Sequence, residues 1–252
     1  MTAEIAAKDA YATETGATIV AVSEDGVVLD RTVFYPRGGG QPGDTGTLEW
    51  EGGSVTVTDT FKRSGSLLHV VDGEPPDVGT EITARIDWER RHTLMRTHTA
   101  LHVLTAVIYR DFGAKVTGGN MEPGRARMDF ELDSISVEFG KDVEERLNEA
   151  LVQEHDVTVL FLPRDAALAD PDLIRTKVNL IPESVDPIRV IQIGIIDKQA
   201  DGGTHVANTR EVGRVRVVKT ESKGKANKRM RIELVPRPAT SGEPGAARAP
   251  AS

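Results

Sequence analysis

Between Arg91 and Phe112 the chain reads RHTLMRTHTALHVLTAVIYRDF, with neither Gly nor Pro. No position in that run breaks helical backbone geometry, and apolar residues recur at three- and four-residue spacing. The run predicts a long α-helix with a buried face. What precedes it has a different texture. Segments ATIVAVSED, GVVLDRTVFY, SVTVTDTF, SLLHVV and EITARIDW carry β-branched residues and are divided by Gly, Asp and Pro turns, the pattern of short strands in a small barrel or curled sheet. The change falls at about Trp88. The expected fold is therefore α+β, with a small β-barrel domain over residues 1–88 and an α+β domain over 89–236 whose helices pack on an antiparallel sheet.

Within the second part, Arg125 to Leu132 predicts a strand. An acidic amphipathic helix follows, with Val143, Leu147, Ala150 and Leu151 on one face. DVTVLFLP and PIRVIQIGII predict two more strands. GRVRVVKTESKGKANKRMRIELV predicts a hairpin with a lysine-rich turn. Residues 237–252, RPATSGEPGAARAPAS, are rich in Pro, Ala and Gly and predict a disordered tail. No internal repeat is present.

Composition narrows the chemistry. The chain has no cysteine, so disulfides are excluded and any metal site must be built from His, Asp or Glu. No apolar run approaches the roughly 20 residues of a membrane span, and no secretory signal is visible at the start. A cytoplasmic protein without a membrane partner is expected. The formal charge of −8 argues against non-specific coating of nucleic acid, and no DNA partner is expected. Yet nine Lys or Arg residues stand against two Glu between Arg210 and Arg231. Such a run is either a solvated hairpin or a local phosphate-binding face.

His98 and His102 stand one helical turn apart, so both imidazoles can reach one ion. A zinc-protease motif would place Glu directly after the first His. Thr99 occupies that place, which excludes a protease of that type. A second pair, Asp201 and His205, has the same separation in QADGGTHVANT. Gly202 and Gly203 between them permit a turn tight enough for both side chains to converge. Four ligands of this kind suit zinc; the alternative for Asp201 is an Asx-type turn or a helix cap.

RTHTALHVL, AKVTGGNMEPGRARMDF and QADGGTHVANTREVG resemble the editing domain of alanyl-tRNA synthetase and, more closely, its free-standing AlaX relatives. FYPRGGGQPGDTG resembles the GGGQ-bearing barrel of the medium-length AlaX class, and FLPRDAA and ESKGKANKRMRIEL match further on. Together these motifs cover most of residues 15–236, in family order. The resemblance implies hydrolysis of the aminoacyl ester on mischarged tRNA(Ala), chiefly seryl and also glycyl. It implies His98, His102 and His205 as zinc ligands. Asp201 falls where the family motif has cysteine. A carboxylate is a harder ligand than thiolate, which bears on both affinity and metal identity. Thr117 matches a threonine that recognises the serine hydroxyl, and Gln41 matches the GGGQ glutamine facing the editing site; both are expected to supply hydrogen bonds to the substrate. Gly38, Gly39, Gly40, Gly202, Gly203 and Thr204 are expected to line the substrate site. Arg214, Arg216, Lys223, Lys225, Lys228 and Arg229 are expected to meet tRNA phosphates, with Arg90, Arg91 and Arg96 extending that surface. Two other readings stay open at this level, a metal-stabilised tRNA-binding module without catalysis and a deacylase for another mischarged tRNA.

Overall fold

A computed structural model describes residues 2–176 and 181–236. The tail expected over 237–252 lies outside the described residues. Two short strands, β1 (Ala3–Glu4) and β4 (Arg31–Thr32), pair in parallel beside the barrel. The barrel itself closes in the order β2-β3-β7-β6-β5-β8. Its strands are β2 (Glu14–Ser23), β3 (Gly26–Leu29), β5 (Gly46–Trp50), β6 (Gly53–Arg63), β7 (Ser66–Asp72) and β8 (Glu81–Ile86). Every neighbouring pair is antiparallel. In β8, Ile82, Ala84 and Ile86 face inward and alternate with more exposed residues, as a half-buried strand requires. They meet Ile19, Val27, Leu29, Phe34, Leu48 and Val57 in the barrel core.

The strand β5 has no counterpart among the sequence segments. Gly46 at its start reads as turn punctuation, but its role is close approach. A Cβ there would overlap the Arg85 carbonyl on the neighbouring β8.

The long helix α1 (Trp88–Phe112) begins where Asp87 caps it, its carboxylate accepting from Arg90 N at 3.0 Å. It ends at Gly113, which adopts φ +64° and donates its N–H to Tyr109 O at 2.9 Å. The expected single buried face is an underestimate. All residues from Thr97 to Ile108 are buried, so the middle of α1 is enclosed on every side. Its polar members there, including two histidines and three threonines, must then be satisfied inside the protein.

Beyond α1 come β9 (Val116–Glu122), β10 (Arg125–Phe130), α2 (Val137–Leu151), β11 (Val157–Leu162), α3 (Arg164–Ala169), β12 (Ile188–Ile193), β13 (Asp197–Ala200), β14 (Val215–Ser222) and β15 (Lys228–Leu234). Four of the strands form an antiparallel sheet, β14-β15-β10-β9, and three form a second one, β11-β12-β13. Helices α1 and α2 pack on each other and on the four-stranded sheet. The expected apolar face of α2, Val143, Leu147, Ala150 and Leu151, is buried there. The α+β class with an amino-terminal barrel is the observed fold. No helix among the described residues is long and apolar enough to cross a membrane.

Arg91 joins the two parts. Its guanidinium is fully buried and pairs with Asp44 of the barrel through Nε at 2.9 Å and through Nη2. It also donates to Val33 O at 2.6 Å and Ala10 O at 2.9 Å. Arg91 therefore does not extend a phosphate-binding surface, as the sequence suggested. Burial of a charge is tolerable here because every side of the fork finds an acceptor. Arg90 and Arg96 are partly buried, and each also donates to a protein carbonyl, at Gly43 and Val212.

Candidate metal centre

Two turns after Arg91, α1 presents His98 and His102. The loop that follows β13 brings Asp201 and His205 to the same point, and the four side chains gather within the buried interior. The loop's start is fixed by the β12–β13 pairing of Val190 with Ala200. It is fixed again by Asp201 N donating to Arg189 O at 3.2 Å. The Asp201 carboxylate accepts from Gly203 N at 3.1 and 3.2 Å. The Asx-type turn and the convergent acid are thus the same residue in one conformation.

One oxygen of Asp201, Oδ1, faces all three imidazoles. It lies 3.0 Å from His205 Nε2, 3.4 Å from His98 Nε2 and 3.7 Å from His102 Nε2. Four donors placed about 2.0–2.1 Å from a central ion in a tetrahedron are about 3.3–3.4 Å apart. The three distances from Oδ1 scatter about that value, and all four donor atoms lie within 4.8 Å of one another. The set fits a small divalent cation.

The other ring nitrogens explain the orientation. His98 Nδ1 is 3.0 Å from Gln41 Oε1, His102 Nδ1 is 3.0 Å from Asp197 Oδ2, and His205 Nδ1 is 3.2 Å from Thr99 Oγ1. Gln41 Oε1 and the Asp197 carboxylate are acceptors, so they place a proton on Nδ1 of His98 and His102. Such outer partners fix tautomer and ring angle in metal-binding histidines. The rings of His98 and His205 stack with centroids 4.3 Å apart. Gly203 is required by this packing. A Cβ on it would overlap the His98 ring and lie 2.8 Å from Gln41 Oε1. A Cβ on Gly202 would meet nothing within 4 Å.

Burial disfavours charge on His98 and brings its pKa down to about 4, with His205 well below the usual histidine range for the same cause. His102 goes the other way. Burial opposes its charge too, but hydrogen bonds and attraction from Asp197 and Asp201 outweigh that and raise it to about 9. Burial alone would raise Asp201, yet His98, His102 and His205 hold it well below the ordinary carboxylate value. A cation entering among the Nε2 atoms would displace the proton on His102.

The centre opens onto a cavity of about 930 Å³ lined by His98, His102, Asp201, Gly39, Gly40, Gly202 and Thr117 among others. Gly38 is outside that lining and instead pairs with Gln41 in a tight turn. Gly40 O accepts from Met121 N at 3.1 Å, which seats the glycine loop against β9. Gly203 and Thr204 are buried and stand outside that lining. Thr117 is exposed on β9 and its hydroxyl donates to Asn227 Oδ1 at 3.1 Å.

Gln41 is 2 % exposed. Oε1 accepts from Thr204 N at 3.1 Å as well as facing His98, and Nε2 donates to Thr204 Oγ1 at 2.9 Å. Oε1 is thus engaged by Thr204 and His98 and one Nε2 hydrogen by Thr204, which leaves the second Nε2 hydrogen for a further partner.

On the basic hairpin Arg214, Arg216, Lys223 and Lys225 are exposed. Lys228 is not; it is 5 % exposed and its ammonium donates to Gly224 O at 2.8 Å. Arg229 is held in a two-pronged pair with Asp129 at 2.7 and 2.8 Å. Both belong to β15 and, as neighbours in a strand, lie on opposite faces: Lys228 is buried, while Arg229 is partly buried against Asp129.

Asp197, Thr99 and Arg189 were not nominated from sequence. Arg189, on β12, donates to the backbone oxygens of Asp201 and Ala7, each at 2.8 Å. Burial pushes its guanidinium pKa down. None of the three carries a spacing signature, since each acts on a ligand distant in sequence or through the backbone.

Residues 1–90 match the family profile described as tRNA synthetases class II (A), and residues 188–231 match the threonyl and alanyl tRNA synthetase second additional domain. The chain is 37 % identical over 239 residues to alanyl-tRNA editing protein AlaX-M of Saccharolobus solfataricus, covering 94 % of this chain and 100 % of that protein. It is 36 % identical to the protein of the same name from Methanosarcina barkeri, covering 90 % and 96 %. Against alanine–tRNA ligase of Pyrobaculum neutrophilum the identity is 36 %, over 87 % of this chain but 25 % of the ligase.

Proposed function

This chain belongs to the AlaX family of alanyl-tRNA editing proteins, and from that premise we propose that it is a trans-acting deacylase of mischarged tRNA(Ala). The ester removed is chiefly seryl, with glycyl second, and the site is centred on one divalent ion, zinc, held by His98, His102, Asp201 and His205. The observation that carries this reading is the cluster of four donors, all within 4.8 Å of one another, beside a cavity large enough for an aminoacylated terminal nucleotide. The substrate class sets the work of this protein in the cytoplasm.

Hydrolysis adds water's oxygen to the ester carbonyl carbon and breaks the bond to the terminal ribose oxygen, which leaves with a proton. When bound, the ion supplies Lewis acidity toward the carbonyl or the attacking water. The chain's own residues do the rest. Gln41, Asp197 and Thr99 fix the three imidazoles, a positioning role. Gly39, Gly40 and Gly202 leave the cavity wall without side chains, so the backbone can approach the ester closely. Thr117, with its proton donated to Asn227, keeps lone pairs on Oγ1 that can accept from a serine hydroxyl. Arg214, Arg216, Lys223 and Lys225 meet phosphates of the acceptor stem and position the terminus without reading bases.

The test is deacylation of Ser-tRNA(Ala), Ala-tRNA(Ala) and Ser-tRNA(Thr) by zinc-loaded and chelator-treated protein. The expected result is selective loss of the Ser-tRNA(Ala) ester, abolished by chelator and restored by zinc. No ester loss from any of the three by the loaded protein would overturn the reading.

A further inference from the structure

Thr105 lies on α1 one turn beyond His102 and two turns beyond His98, on the helix face that lines the cavity together with Leu101. It is 3 % exposed. A threonine inside a helix can close its hydroxyl onto the carbonyl four residues back, as Thr97 does with Thr93 at 2.7 Å. Thr105 makes no such bond, nor any other with the described residues. The described interior otherwise tolerates no orphans: every side-chain nitrogen or oxygen fully closed off from solvent has a partner. The Thr105 hydroxyl escapes that requirement only because the small accessible part of this residue includes Oγ1, and the space it borders is the cavity.

Apolar side chains, among them Leu101, Val116, Leu173 and Ile188, line much of the same space. A hydroxyl without a protein partner in such a wall is a selective partner. A bound group that brings its own hydroxyl pairs with it, whereas a methyl group seats over it, excludes water and leaves it unpaired. That is the direction of discrimination an editing site needs, serine accepted and alanine disfavoured. Thr117 is less free for the task of donating, since its proton is already given to Asn227.

Resting on the editing reading above, we propose that Thr105 Oγ1 recognises the side-chain hydroxyl of the seryl ester and is a specificity-determining residue of this site. The serine hydroxyl can accept from Thr105 while donating elsewhere, so the arrangement also leaves room for Thr117 as the second partner.

The test uses Thr105→Val, which removes the hydroxyl at nearly constant volume, and two non-hydrolysable probes, the 3′-amides of adenosine with serine and with alanine. Wild type is expected to bind the seryl amide roughly fivefold to tenfold more tightly than the alanyl amide, the net value of one such hydrogen bond. T105V is expected to bring the two within about twofold, the seryl amide losing its partner and the alanyl amide no longer covering an unpaired hydroxyl. Zinc uptake by T105V, expected at one ion per chain as in the wild type, reports an intact centre. Retention of the wild-type seryl preference in T105V would overturn the proposal, and so would equal weakening of both amides. If the wild type prefers the seryl amide but hydrolyses no ester, the editing reading fails while the recognition proposal stands.

Discussion

Gly203→Ala tests the geometry of the centre at a single carbon. The added Cβ would overlap the His98 ring at Cε1 and Nδ1 and lie 2.8 Å from Gln41 Oε1. Non-bonded heavy atoms rest about 3.5–4.0 Å apart, so the ring or the loop must yield by about 1 Å. The ring has little room, being stacked on His205 at 4.3 Å and bonded to Gln41 at 3.0 Å. Metal–ligand distances tolerate about 0.2 Å. A displacement several times larger removes His98 as a ligand or releases the Gln41 bond that orients it. Loss of an orienting partner alone lowers metal affinity about 10- to 100-fold, so G203A is expected to lose at least about tenfold. Gly202→Ala is the matched control. A Cβ there meets nothing within 4 Å, and its affinity is expected to stay within about twofold. Competition of each folded variant against a chromophoric chelator at neutral pH measures both. Zinc affinity in G203A equal to that of G202A would refute the reasoning.

Three other expectations follow from the same structure. Arg91→Met leaves Asp44 buried without its partner and is expected to cost about 3–5 kcal/mol in urea unfolding; a loss below about 1 kcal/mol would mean the barrel and α1 are not pinned there. His69 is fully buried among barrel strands, and burial lowers its pKa to about 4. The unfolded chain therefore takes up this proton first as pH falls below about 6.5, so the contribution is full above that pH and is lost toward pH 4, with about 2 kcal/mol gone at pH 5. A ring-proton NMR titration showing His69 charged at pH 6 would contradict this. Binding of tRNA(Ala) is expected to weaken steeply with salt, and Arg216→Ala to reduce the slope of log affinity against log salt by about one; equal slopes for R216A and wild type would remove Arg216 from the phosphate contacts.

Much of the fold was legible because its signals are local. Strand alternation and Gly or Pro punctuation marked the barrel, and the uninterrupted run after Trp88 marked α1. β5 escaped because Gly46 signals a turn in sequence while serving close strand packing in space. The ligand set was legible because both pairs sit at four-residue spacing, one on a helix and one across Gly-Gly. The residues that orient those ligands were less so. Asp197 reaches His102 across 95 positions and Thr99 reaches His205 across 106, and no periodicity in the chain encodes such meetings. Gln41 was found, but only coordinates reveal that Thr204 and His98 engage its Oε1 and one Nε2 hydrogen. Lys228 misled because charge in a sequence does not state which strand face carries it, and Arg229 because its pairing with Asp129 spans 100 positions.

The most direct test of the account is to load metal-free protein stepwise with zinc while following hydrolysis of Ser-tRNA(Ala). The rate is expected to rise in proportion to bound zinc and to stop rising at one ion per chain, with His98→Ala and Asp201→Ala each shifting the titration to much higher zinc. A deacylation rate independent of bound metal, or unchanged zinc uptake in both variants, would contradict a metal-centred editing site.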